Sequence, residues 1–225
     1  MKKLTTNILC AFSFLAVSCS GFLDQDNRSN IAGKDYYQTA AGYESLGNAA
    51  YSSLRSIYGN APWLFEGGTD LFASGRTSVQ VCNLYGQTYS SAEENVRVFY
   101  RGHYQAIALA NELVYWGQDH SERAGRVAEA RGLRAFYYLN LVQQFGGVPL
   151  VLERSSSPLV SVERSSAEDV LKFVIDELED LASETSALPT DQTSGRFNKL
   201  AAMHFASKAC LCLGWLTSED SYFTQ

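Results

Sequence analysis

Between residues 59 and 92 the chain carries Trp63, Phe65, Phe72, Tyr85 and Tyr89, with Arg76 and Asn83 among them. A sugar ring has an apolar face and a rim of hydroxyls, so a site that holds one needs flat aromatic platforms edged by donors and acceptors. Trp63 and Tyr85 supply platforms of that kind, and Arg76 and Asn83 supply edge groups. These four are the candidate ligand contacts. The competing use of the same aromatics is to seal the segment against its neighbours, and no spacing here decides between the two. A stretch this long and irregular is more than a simple connection, because long loops in compact domains are often functional.

Other chemistry finds little support. His103, His120 and His204 lack partners at ligand spacing, which argues against zinc. Gly67-Gly68 is not followed by the Lys-Ser/Thr pair of a phosphate loop. Glu66 and Asp70 stand four apart, a spacing usual on solvated surface, and without a second constellation glycoside hydrolysis is a poor third reading. The expectation is therefore no enzymatic activity, no cofactor and no metal. Cys82, Cys210 and Cys212 allow at most one bridge among themselves. Two positions apart on a helix means about 200° of rotation, so Cys210 and Cys212 suit packing as small apolar groups. The disulfide state of the three stays open.

Five helices must position the loop. Tyr43, Leu46, Ala50, Leu54 and Ile57 step by threes and fours, with Thr39 as N-cap and Gly59 as stop. A second helix is expected from about Glu93 to Trp116, with Ile107, Ala110 and Val114 on one face. A third is expected from about Glu122 to Phe145, where Ala130, Leu133, Tyr137, Leu141 and Phe145 form a stripe widened by Phe136, Leu139 and Val142; most of its circumference should be buried. Gly146-Gly147 ends it. Ser165 and Glu168 stand at capping-box spacing ahead of Leu171, Val174, Leu178 and Leu181 in the fourth. The fifth starts near Asn198, with Ala202, Phe205, Ala209, Cys212 and Leu216 as its expected buried face. Glu129, Arg131 and Arg134 flank the third helix and are expected to pair with neighbours. Strand alternation is absent beyond a few residues. The fold class is all-α, a stack of tetratricopeptide-like antiparallel helix pairs with long irregular loops, although no strict 34-residue period is visible.

The first residues read as an export signal, since Lys2 and Lys3 precede an apolar run from Ile8 to Val17 with no acid. The run is shorter than the roughly 20 residues a membrane-spanning helix needs. Leu15-Ala16-Val17-Ser18-Cys19 resembles a lipobox, with Ala where Leu is usual three residues before the cysteine. Residues 1–18 are expected to be a lipoprotein signal, Cys19 the lipidated residue, and residues 19–38 a tether. Loss of Lys2 and Lys3 would take the formal charge from −6 to −8. An acidic chain without a basic cluster is a poor partner for nucleic acid.

Five segments resemble the SusD/RagB family of nutrient-binding lipoproteins. They are Gly21-Phe22-Leu23-Asp24 after the cysteine, GNAAYSSLR at residues 47–55, YRGHYQAIALANELV at 100–114, EARGLRAFYYLNLVQQFGGVPLV at 129–151, and GRFNKLAAMHFASKACLCLGW at 195–215. The resemblance covers most of residues 21 to 216. It implies four tetratricopeptide-like units, a lipid anchor on the cell-surface side of the outer membrane, and a lid-like association with a SusC-like TonB-dependent receptor. It also implies capture of an oligosaccharide or peptide without cleavage. Family members are usually around twice this length, so residues 39–225 are expected to be the N-terminal portion of the helical domain, with the family's C-terminal part absent. The alternative function is a peptide-binding or helix-repeat protein-interaction scaffold with no sugar site.

Overall fold

The computed structural model describes residues 34–59, 94–157, 161–190 and 195–224. Among them the helices are α1 (Lys34–Gln38), α2 (Ala40–Gly59), α3 (Glu94–Gly117), α4 (Ala124–Phe145), α5 (Ala167–Ala182) and α6 (Lys199–Thr217), with 3-10 turns at Ser121–Arg123 and Asp220–Phe223. No strand occurs among the described residues. Each helix packs chiefly on its chain neighbour, and α2 touches α4 as α4 touches α6. That contact of every second helix is the signature of stacked helix pairs, in which like members of successive pairs meet along one layer. The all-α, tetratricopeptide-like expectation holds.

The helix ends follow from local chemistry. Thr39 Oγ1 accepts the Gly42 N–H at 3.0 Å, so the N-cap expected there is in place, and Asn198, near the expected start of the last helix, caps it by accepting the Ala201 N–H on Oδ1 at 2.8 Å. The cap of α5 lies one residue later than expected. Ser166, not Ser165, is the N-cap: its hydroxyl accepts the Asp169 N–H at 3.0 Å and bonds Asp169 Oδ2 at 2.6 Å. The third helix begins as the 3-10 turn Ser121–Arg123 before turning α-helical. At its other end Gly146 has φ 68°, a conformation that glycine adopts without the Cβ penalty other residues meet.

Helix α4 is the core. Ala130, Leu133, Ala135, Tyr137, Tyr138, Leu139 and Leu141 are all buried, so both sides of the helix meet neighbours, as its wide apolar arc requires. Gly132 allows one of those approaches, because a Cβ there would overlap the Phe197 ring.

Helix α6 departs from its expected face. Ala202, Ala206, Ala209, Cys210 and Leu213 are buried, whereas Leu216 is 52% exposed and Phe205 and Cys212 are half-buried. Leu200, Met203, Leu211 and Trp215 are exposed as well. The reason is that α6 is apolar on almost every side; by length and composition alone it could cross a membrane. An arc that is apolar all round does not say which side packs. The observed face makes a measurable distinction. Leu213→Ala should lower the unfolding free energy by about 2–5 kcal/mol, the usual cost of emptying a packed leucine site. Leu216→Ala should cost less than about 1 kcal/mol, as for a largely solvated side chain. Guanidinium denaturation of both variants checks the assignment, and equal costs would count against it.

Candidate functional site

The four sequence candidates, Trp63, Arg76, Asn83 and Tyr85, lie outside the described residues, as do Cys19, the signal, most of the tether and Cys82. The described helices bound that segment: α2 ends at Gly59 and α3 begins at Glu94. Among the described residues no group of three His, Cys, Asp or Glu side chains could hold a metal. Cys210 and Cys212 are free thiols, and burial pushes the Cys210 thiol above its ordinary range.

What the described residues do bring together is a groove at the C-terminal end of α3. Its far wall is the chain after α4, which has neither helix nor strand over residues 148–153. Backbone groups in such a segment need partners, and side chains from α3 and α4 provide them. Tyr104 donates to the Pro149 carbonyl at 2.8 Å. Tyr138 accepts the Val151 N–H at 2.7 Å and donates to the Val151 carbonyl at 3.0 Å, with burial pushing its hydroxyl up to about 12. Asn111 Nδ2 donates to the Val151 and Glu153 carbonyls at 2.9 and 3.2 Å. Arg134 donates to the Leu152 carbonyl and to Asn111 Oδ1, both at 2.9 Å.

This clamp sets the next residue. Arg154 Nε donates to Glu112 at 2.7 Å, and its guanidinium lies 4.8 Å from the Tyr115 ring centre and 5.5 Å from that of Trp116. Trp116 donates from Nε1 to the other Glu112 oxygen at 2.9 Å, and its ring stands edge-on to Tyr115 at 5.0 Å. The groove so formed holds about 440 Å³ and is lined by Tyr115, Gln118, Leu152, Glu153, Arg154 and Ser156, among others. Sequence reading did not single out these residues. Tyr115 and Arg154 are far apart in the chain, and only the clamp on the intervening segment brings them together.

Glu129, Arg131 and Arg134 find internal partners, as expected. Arg131 pairs with Glu177 at 2.6 Å and Asp180 at 2.8 Å, and Arg134 with Glu177 at 3.1 Å. Glu129 accepts from Arg126 at 2.9 Å and from the Tyr51 hydroxyl at 3.1 Å, which ties α2 to α4. Glu129 and Arg134 are buried, and Arg131 is held by its two carboxylates.

A family model described as "Starch-binding associating with outer membrane", of the SusD-like type, matches residues 22–211. Among curated relatives, SusD-like protein P25 of Formosa agariphila is 26% identical over 210 residues, covering 84% of this chain and 39% of the relative. SusD-like protein P38 of the same organism is 24% identical over 218 residues, covering 92% and 42%. The chain thus spans about two-fifths of the length of these relatives. Among solved structures, a SusD-like carbohydrate-binding protein of Bacteroides fragilis aligns with TM-score 0.67 at 21% identity, over 85% of this chain and 40% of that one. Surface glycan-binding protein A of Bacteroides uniformis aligns with TM-score 0.63 at 26% identity, over 77% and 42%. With a family match spanning residues 22–211 and the helix-pair fold in common, the chain belongs to the SusD-like family.

Proposed function

We propose that the protein binds an oligosaccharide at the surface of the outer membrane and passes it, uncleaved, to a SusC-like TonB-dependent transporter. The observation that carries the reading is the family match across residues 22–211, to a family described as starch-binding and associated with the outer membrane. The acidic composition disfavours nucleic acid as the ligand. In this reading Cys19 carries the lipid that holds the chain to the membrane, since acyl chains gain about 0.8 kcal/mol per buried methylene. Trp63, Arg76, Asn83 and Tyr85 contact the ligand.

The exposed apolar side of α6, with Leu200, Met203, Leu211 and Trp215, favours a second reading, a peptide-binding or protein-docking scaffold. Exposed apolar surface of this kind often marks an interaction site. One experiment separates the two. The protein is recovered from outer membranes, its intact mass and co-purifying chains are determined by mass spectrometry, and neutral oligosaccharides are then titrated against tryptophan fluorescence. The transporter-partner reading expects an acylated chain, a large barrel protein, and a sugar-dependent signal lost in Trp63→Ala. Recovery of the barrel with no response to any sugar would favour the scaffold, and an unlipidated chain without a barrel would remove the transport role.

A further inference from the structure

We propose that the groove between the last turn of α3 and residues 152–156 is a second carbohydrate contact, which seats one neutral pyranose unit of an oligosaccharide against the Tyr115 ring. The inference rests on the glycan-binding reading above and assigns it a place of its own.

Three observations carry it. Tyr115 is 45% exposed yet braced, since Trp116 packs perpendicular to its ring and the Arg154 guanidinium lies over one of its faces, leaving the opposite face for the sugar. A fixed aromatic loses little conformational freedom when a ligand arrives, which is what a stacking platform requires. Around it, Gln118, Glu153 and Ser156 line the groove and their side chains make no hydrogen bond among the described residues. They present amide, carboxylate and hydroxyl groups, the mixture of donors and acceptors that sugar hydroxyls satisfy. The volume, about 440 Å³, falls within the roughly 300–1,000 Å³ of ordinary small-molecule sites.

The charges choose the class of sugar. Arg154 is already bonded to Glu112, and Glu153 adds a second carboxylate to the same groove. One guanidinium against two carboxylates leaves the groove without a surplus of positive charge. A uronic acid or sulfated sugar would then be repelled, whereas a neutral hexose meets no such penalty. The wall is also held in advance, because Tyr138, Asn111 and Arg134 fix residues 151–153 before any ligand binds.

The test is an array of neutral α-gluco-, β-gluco-, xylo- and manno-oligosaccharides with hexagalacturonate as the acidic comparator, probed with the full chain. Wild type, Tyr115→Ala and Trp63→Ala are compared, and Tyr115→Phe serves as the conservative control. Tyr115→Ala should weaken binding of a neutral oligosaccharide by about tenfold, the size of effect expected when one contacting aromatic is truncated, and Tyr115→Phe should retain it. Circular dichroism of the folded variants keeps a loss of binding distinct from a loss of fold. Neutral-sugar binding that Tyr115→Ala leaves unchanged and Trp63→Ala abolishes would overturn this inference while the proposed function stands. Binding to hexagalacturonate alone would overturn it as well, and binding to nothing on the array would overturn both.

Discussion

Arg134→Met is expected to lower the unfolding free energy by about 3–5 kcal/mol, the range found when one partner of a buried ion pair is removed. Arg131→Met should cost about 1 kcal/mol, as for a partly exposed pair. The two arginines share Glu177, so the contrast turns on what each leaves behind. The Arg134 side chain is 8% exposed, and its loss orphans Asn111 Oδ1 and the Leu152 carbonyl. A buried polar group left without a partner costs about 1–3 kcal/mol, and Glu177 loses one of its two guanidinium partners besides. Arg131 is 31% exposed, its second partner Asp180 is 62% exposed, and Glu177 would keep Arg134. The buried pair is not a large net stabiliser as it stands, since Arg134 Nε has no protein acceptor and desolvation offsets much of the attraction. The cost comes from breaking it. Urea denaturation measures the difference, and amide exchange at Val151, whose N–H is bonded to Tyr138, locates it: in Arg134→Met this amide should exchange faster well before global unfolding. Equal costs for the two variants would mean that the clamp on residues 151–153 does not depend on Arg134.

That clamp also shows where sequence reading stops. The helices were legible because an apolar face repeats every three or four residues and because caps are local: Thr39 with Gly42 and Asn198 with Ala201 each lie within one turn. The α5 cap slipped by one residue because Ser165-Ser166 and Glu168-Asp169 offer two pairs at the same spacing, and only the backbone geometry selects Ser166 with Asp169. Helix α6 lies where expected and its expected face is met in part: Ala202 and Ala209 are buried while Leu216 is exposed, because small and apolar residues occupy nearly all of its sides. Alanines at 202, 206 and 209 let a neighbour approach closely, which favours the side that the larger Phe205 and Leu216 do not occupy.

The groove was illegible for a different reason. Residues 148–153 have no periodicity to read, and their partners Tyr104, Asn111, Arg134 and Tyr138 lie on two helices that precede them. Each of the four looks in sequence like an ordinary helix residue, and Tyr115 like a surface aromatic. The family resemblance covers the Ala110-Asn111 pair and the stretch from Glu129 to Val151, and the structure supplies a physical role for both: donors on the helices bond an irregular wall that could not otherwise be buried. The candidate contacts Trp63, Arg76, Asn83 and Tyr85 were chosen on side-chain chemistry in a long loop, and they remain proposals to be tested by substitution.

Acidification from pH 6.5 to about 4 should cost the fold about 3 kcal/mol through His103 alone. His103 is 0% exposed, its ring centre 4.0 Å from that of Phe99 at a tilt of 31° and met edge-on by Tyr137. Nδ1 lies 2.8 Å from the Phe99 carbonyl, which can only accept, so that nitrogen carries the proton and Nε2 is left buried without a partner. Burial disfavours the imidazolium and brings the pKa down to about 4 from 6.5, with the Phe99 hydrogen bond opposing the shift in part. The folded chain therefore binds fewer protons than the unfolded chain between those two values, and stability falls as pH falls through that window, then levels off below it. At 1.36 kcal/mol per unit the difference is about 3 kcal/mol. Glu44 acts at lower pH, because its hydrogen bond with Arg126 holds the carboxyl below its ordinary value and that contribution is lost only under acid. His103→Leu removes the titrating group while keeping apolar volume in the site, so its stability should stay nearly flat from pH 6.5 to 4.5 while wild type declines. Urea midpoints at pH 7, 5.5 and 4.5 decide the matter: parallel declines in both proteins would place the acid sensitivity elsewhere, and a wild-type decline that vanishes in the variant would assign it to this one buried ring.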